Sequence, residues 1–275
     1  MDTSYTDRHW QSADGLTLHF REYGSAGNRP PVICLHGLTR NARDFEDLAP
    51  HIAGQGWRVL VPSMRGRGDS DYAEDPESYQ VGTYMLDVLA LLDTEEIDSF
   101  VSIGTSMGGL ITLALAAVHP DRIKGAVLND VGPLLETAGL DAIKTYVGQG
   151  RSFPTWMHAA RALEEVHGDA FPDYGTEEWI AMAKRLYRLN SGGRIVLDYD
   201  MKIAEPIRAM GSETGVDMWP VMPAFGGIPT LLLRGARSDL LSADNALRMA
   251  RDIGESAELV TVPDVGHAPV RIVEH

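Results

Sequence analysis

The sequence predicts an α/β fold, with a mainly parallel central sheet and helices on both faces. Two observations carry this. Short apolar runs alternate with stretches of helical spacing from Val32 to Asp130, and again from Ile228 onward. That alternation implies parallel strands joined by crossover helices. The second observation is Gly104-Thr105-Ser106-Met107-Gly108-Gly109, which joins an apolar strand-like run to an apolar helix-like run through a glycine-rich turn.

The elements follow in order. Residues 15–23 alternate apolar and polar side chains. They read as a half-buried strand near a sheet edge, paired with the segment around His9 and Trp10. Val32-Ile33-Cys34-Leu35 is wholly apolar and reads as an interior strand. Residues 41–54 carry Phe45, Leu48 and Ile52 at helical spacing. Arg58-Val59-Leu60-Val61-Pro62 is another short strand, and residues 79–92 form a helix burying Val88, Leu89, Leu91 and Leu92. Phe100-Val101-Ser102-Ile103 leads into the glycine turn, residues 110–118 continue as a buried helix, and residues 125–130 return as a strand.

The rhythm breaks after Pro133. Residues 134–222 contain no clear strand and are rich in large apolar residues. The expected organisation is one core from residues 1–133 and 223–275, with a helical lid, 134–222, inserted over the carboxyl ends of the strands. Residues 228–235 resume the pattern as a strand. Residues 243–253 read as a helix and 257–262 as a last strand.

Composition narrows the function. The 275 residues carry 24 basic and 39 acidic side chains, a formal net charge of −15. Such a surface repels polyanions, which argues against nucleic acid and anionic membrane as partners. The single cysteine, Cys34, excludes an internal disulfide and reads as a small buried apolar residue. The N-terminal residues lack the apolar core of a signal peptide, and no run has the length of a membrane span. A cytoplasmic protein acting on a small molecule is expected.

The chemistry starts at Ser106. A sharp strand-to-helix turn lifts one side chain above the sheet, and small neighbours allow the backbone to turn that tightly. A serine hydroxyl needs a base to take its proton, and the base needs an orienting acid. Of nine histidines, His267 lies in a loop directly after the last strand and is the expected base. His119 suits a helix C-terminus, His158 and His167 fall in the lid, and His36 beside Gly37 reads as a loop-shaping residue. Two carboxylates follow strands, Asp239 and Asp130. Asp239 is preferred, because its loop is exposed and within reach of the histidine; Asp130 is the rival. The N–H groups of Leu38 and Met107 are assigned as the oxyanion donors.

In chain order, Leu35-His36-Gly37, Arg65-Gly66-Arg67-Gly68-Asp69-Ser70, the Ser106 turn, Gly235-Ala236-Arg237-Ser238-Asp239 and Val265-Gly266-His267 resemble the α/β-hydrolase superfamily. The likeness spans nearly all the chain outside the lid. It implies the α/β-hydrolase fold and a Ser-His-Asp hydrolase. The sequence has no H-E-x-x-H, no cysteine pair and no G-x-x-x-x-G-K-[ST] phosphate loop, so no metal or cofactor is expected. Ser63 departs from the aspartate that relatives often carry before the Arg-Gly turn. Relatives also usually continue past the histidine loop with a closing helix, where this sequence stops. Members that open epoxides or remove halide use aspartate at the turn, so Ser106 argues against both.

A serine esterase is the leading reading. The alternatives are a C–C bond hydrolase acting on a diketone-type ring-cleavage product, and a non-catalytic ligand-binding relative. For the carboxylate of a ring-cleavage product, the lid offers Arg151, Arg161 and Arg194. Trp156 and Met157 are the candidate pocket walls, with packing between lid helices as the other reading of both.

Overall fold

The computed structural model describes residues 4–209 and 217–267. An eight-stranded sheet forms its centre. In chain order its strands are β1 (Thr6–Gln11), β2 (Thr17–Tyr23), β3 (Val32–Leu35), β4 (Val59–Pro62), β5 (Phe100–Thr105) and β6 (Ile123–Asn129). Three short strands, β7 (Ser152–Phe153), β8 (Tyr187–Leu189) and β9 (Ile195–Leu197), lie outside the sheet, which is completed by β10 (Thr230–Gly235) and β11 (Ala257–Val262). The spatial order is β1-β2-β4-β3-β5-β6-β10-β11. The first two pairings, β1 with β2 and β2 with β4, are antiparallel, and the rest are parallel. The edge hairpin has the expected register, with His9 opposite His19 and Trp10 opposite Leu18.

The helices are α1 (Leu48–Gly54), α2 (Val81–Thr94), α3 (Met107–Val118), α4 (Thr137–Tyr146), α5 (Trp156–His167), α6 (Thr176–Leu186), α7 (Ala204–Ala209) and α8 (Ala243–Ile253). The core joins the sheet to α2 and α3 through Ile33, Leu35, Leu60, Val88, Leu91 and Ile111. Residues 41–54 do not form one helix. A 3-10 turn, Ala42–Phe45, is followed by a new start at Leu48. Pro50 explains the break: its ring would clash with the carbonyl of Glu46 in a continuous helix, so it is tolerated only in the first turn of a fresh one.

Between β6 and β10 the chain leaves the sheet and builds a body with its own core. Ala159, Ala160 and Leu163 of α5 pack on Trp179, Ala183 and Leu186 of α6. Contrary to the strandless reading of residues 134–222, this segment contains a small antiparallel sheet of order β7-β9-β8. Its strands are only two or three residues long, too short for a period-two pattern to register. Polar contacts fasten the insertion to the core. Arg185 reaches Glu46 at 2.8 Å and Asp47 at 2.5 Å, Arg43 pairs with Asp198, and Tyr79 Oη donates to Asp200 at 2.7 Å. The turn at Gly66-Arg67-Gly68 adds backbone bonds: Gly68 N–H donates to Asp198 O and Asp200 N–H to Gly66 O.

Cys34 is fully buried in β3, and burial pushes its thiol pKa up. No described helix is long and apolar enough to cross a membrane. The closing helix at issue beyond the histidine loop would fall outside the described residues.

Candidate active site

Three strand ends converge at the carboxyl edge of the sheet. Ser106 follows β5 with φ 52° and ψ −115°, a backbone conformation that costs a non-glycine residue about 1–3 kcal/mol. The neighbouring glycines make the turn possible. A Cβ at Gly104 would lie 2.5 Å from Gly108 O, one at Gly108 would lie 2.0 Å from Leu35 O, and one at Gly109 would lie 2.2 Å from Val131 Cγ1. The strained serine is held by its own backbone: its N–H donates to Asn129 O at 2.9 Å, and its carbonyl accepts from Gly109 and Leu110.

His267 bridges to it from the loop after β11. Its Nε2 lies 2.9 Å from Ser106 Oγ, and its Nδ1 lies 2.7 Å from Asp130 Oδ2. The network assigns the tautomer. Asp130 is acceptor-only as a carboxylate, so Nδ1–H donates to it and Nε2 accepts the serine hydroxyl. The histidine loop is stitched to the loop after β10. Arg237 N–H donates to Val265 O at 2.9 Å, and the backbone of Gly266 leaves no room for a side chain at Gly235.

The carboxylate in contact with His267 is therefore Asp130, and the preference for Asp239 is corrected. Asp130 is fully buried. Its other oxygen, Oδ1, accepts the Gly235 N–H at 3.0 Å, and its own N–H donates to Leu233 O at 2.8 Å. Asp239 is exposed, four residues past the end of β10, and its side chain makes no bond with His267. The sheet register contains the signal that distinguishes them: Thr105 sits opposite Asn129, so the next residue on each strand, Ser106 and Asp130, emerges side by side.

Leu38 and Met107 flank the same point. Among the described residues neither backbone N–H donates to another protein group, and an added Cβ at Gly37 would stand 3.9 Å from Ser106 Cβ. His36 shapes this loop from beneath. It is fully buried, its Nδ1–H donates to Gly37 O at 2.7 Å, and its Nε2 accepts the Met64 N–H at 3.0 Å. Burial lowers its pKa to about 4, with the backbone bond to Gly37 opposing and the nearby Arg67 charge assisting. It is thus neutral at pH 7.

A cavity of about 240 Å³ opens onto Ser106 and His267 between the sheet edge and the insertion. Its walls include Ile143, Leu163, Val166, Phe171 and Met182, with Arg40 and Arg151 among the charged lining. Arg40 is held by both oxygens of Asp44. Trp156 and Met157 do not line it, which corrects their assignment as walls. Trp156 packs on the insertion's own core, and Met157 is 37% exposed. At 100° per residue, Val166 lies on the opposite side of α5 from Met157. His167 also lines the cavity, with its pKa lowered by burial. His158 is exposed and bonds Thr155, and His119 caps α3. Of the other arginines of the insertion, Arg161 is exposed and Arg194 bonds Ser152. A larger depression of about 670 Å³ lies on the sheet face, near Ile103, Val127 and Leu231, and reaches neither Ser106 nor His267. No group of three or more metal-ligating side chains occurs among the described residues.

Comparison with known proteins agrees with this architecture. Residues 30–171 match the family model described as alpha/beta hydrolase fold. A 3-hydroxybutyrate-oligomer hydrolase from Cupriavidus necator is 34% identical, over 92% of this chain and 87% of its own length. A 2-(acetamidomethylene)succinate hydrolase from Mesorhizobium japonicum is 27% identical, over 92% and 85%. The crystal structure of an alpha/beta hydrolase from Novosphingobium aromaticivorans superposes with a TM-score of 0.92 at 58% identity, covering 97% of this chain and 93% of that one. With its sheet order, its glycine-locked serine turn and these matches, the chain belongs to the alpha/beta hydrolase family and is a hydrolase.

Proposed function

We propose that this hydrolase cleaves the ester of a small carboxylate-bearing acid through a covalent acyl-enzyme, with Ser106, His267 and Asp130 as its triad. The observation that carries the reading is His267, in bonding distance of Ser106 Oγ at 2.9 Å and of Asp130 Oδ2 at 2.7 Å. Ser106 Oγ attacks the ester carbonyl while His267 Nε2 takes its proton. Asp130 keeps Nδ1 protonated and stabilises the imidazolium that forms. The Leu38 and Met107 N–H groups receive the carbonyl oxygen as it becomes negative. The proton on His267 then passes to the departing alkoxide. Water, deprotonated by the same nitrogen, releases the acid and restores Ser106. No cofactor enters these steps.

The cavity supports a small substrate. Its 240 Å³ is below the range of about 300–1,000 Å³ usual for drug-sized ligands. Its walls are mainly apolar, which suits a short carbon chain, and Arg151 at its rim supplies a cation for a carboxylate. The relative from Cupriavidus necator acts on an oligomer of a hydroxy acid, and joining hydroxyl to carboxyl makes esters. Residues 134–222 serve as the lid that sets specificity, since α4, α5 and α6 all contribute to the cavity wall.

The test is labelling with a fluorophosphonate, followed by turnover of short nitrophenyl esters and of a hydroxybutyrate dimer. One adduct on Ser106 and ester turnover are expected. Absence of both would remove the reading, and turnover of a yellow ring-cleavage dienoate instead of esters would replace it with C–C bond hydrolysis.

A further inference from the structure

We propose that Arg67 is a positioning residue for the oxyanion site, holding the donor loop in place and setting beside it a positive charge that has no direct ion-pair partner. The inference rests on the reading of Leu38 and Met107 as the two donors.

Arg67 is a large side chain with 0% exposure. Its neighbours Arg65 and Arg40 each have carboxylate partners: Arg65 bonds Asp87 and Asp14, and Arg40 bonds Asp44. Arg67 makes no ion pair among the described residues. Its guanidinium is satisfied by neutral acceptors. Nε donates to Leu38 O at 2.9 Å, and Nη1 donates to Arg65 O at 2.7 Å and to Tyr84 Oη at 2.8 Å. Nη2 faces Met107 Sδ at 3.6 Å, and the Tyr84 ring lies 4.8 Å away. A buried cation outside a direct ion pair is costly, so the fold retains it against a penalty.

Its contacts fall on Leu38 and Met107, the two residues read as the donors. The bond to Leu38 O fixes the peptide that follows the Leu38 donor. The peptide that contains that donor is fixed as well, because Gly37 O accepts both Arg40 N–H at 3.1 Å and His36 Nδ1–H at 2.7 Å. Bonds accepted by a carbonyl polarise the N–H on the same peptide and strengthen it as a donor. The contact with Met107 Sδ rests the same guanidinium against the second donor's residue. The bonded acceptors are neutral, and the buried carboxylate that feels Arg67, Asp87, is itself bonded to Arg65, so in a buried setting the guanidinium keeps a weakly screened field on a developing oxyanion. Arg67 is also bridged backbone to backbone with Tyr199 of the insertion, so one residue joins the donor loop, the start of α3 and the cavity roof.

The experiment compares wild type with R67Q and R67K, measuring kcat, KM and Tm on a short nitrophenyl ester. It also measures inhibition by a trifluoromethyl ketone, whose serine adduct carries an oxyanion, and by the product acid. R67Q is expected to lose roughly 10- to 100-fold in kcat, with KM within about threefold, a loss below that of deleting a donor outright. The ketone should weaken by the same factor as kcat/KM, while the acid binds as before. R67K, which keeps charge but not the planar fork, should fall between. If R67Q does not fold, the same split in R67K decides. An active wild type with an equally active variant, or equal losses in ketone and acid binding, overturns the Arg67 assignment alone. A wild type that neither labels at Ser106 nor turns over esters overturns the ester reading and this assignment together.

Discussion

Asp130 and His267 meet at 2.7 Å across 137 residues of chain, and the carboxylate that makes this contact is the one whose strand pairs directly with the strand of Ser106. β6 lies beside β5, with Thr105 opposite Asn129. Asp130 and Ser106 are therefore set by the same ladder of backbone bonds. The histidine arrives from β11, two strands from β6 across β10, and its loop folds back over the sheet edge to close the arrangement.

Asp130→Asn is expected to lower kcat by about 10⁴-fold, because an amide cannot hold the Nδ1–H tautomer or stabilise the imidazolium. Asp239→Asn should leave kcat within a few-fold of wild type. Steady-state kinetics on one nitrophenyl ester tests both variants, and the reverse pattern would return the acid's role to Asp239.

Gly108→Ala should cost roughly 3 kcal/mol or more in stability, since the new methyl would stand 2.0 Å from Leu35 O and the packed core has no slack to take it. Urea unfolding reads the loss. A midpoint equal to wild type would mean that the turn can shift away from β3.

Stability should fall on acidification through His36. Its folded pKa of about 4 lies below the ordinary 6.5, so the unfolded chain binds the proton more readily. The contribution is complete above pH 6.5, declines as pH drops toward 4 and is level below that. Its size is about 3 kcal/mol. His36→Asn should show a smaller loss of urea midpoint between pH 7 and pH 4.5 than wild type does. Equal losses would assign the acid sensitivity to other groups.

Cavity walls should govern chain-length preference. Met182→Ala is expected to shift the preferred acyl chain longer by one or two carbons, with fluorophosphonate labelling of Ser106 intact. Trp156→Ala should instead lower Tm with the preference unchanged, because its ring packs on the insertion's core. A substrate series with each variant separates the two effects.

What the sequence made readable was local. The glycine turn at Ser106 needs small residues at fixed offsets, and the strands of the sheet announce themselves by apolar runs. The misassigned acid depended on something a linear reading lacks. Asp130 and Asp239 both follow strands in the right order, and only the knowledge that β6, not β10, adjoins β5 separates them. The wall assignment failed for a related reason: the apolar residues of α5 were visible, but which side of that helix faces Ser106 is set by how the insertion docks. That docking runs through Arg185, Asp198 and Asp200, polar residues that no hydrophobic pattern singles out.

The thiol sealed in β3 makes the chain ready for spectroscopy. With Cys34 the sole sulfhydryl in the sequence and enclosed on every side, maleimide and spin-label reagents meet no native target on the folded protein. Cysteines introduced at Met157 on α5 and Leu247 on α8, which are 37% and 54% exposed, would be the sole labelled positions. The distance distribution between two such labels, recorded with and without a Ser106 adduct, would measure any displacement of the cavity roof above Ser106 between the two states, with no native cysteine first removed.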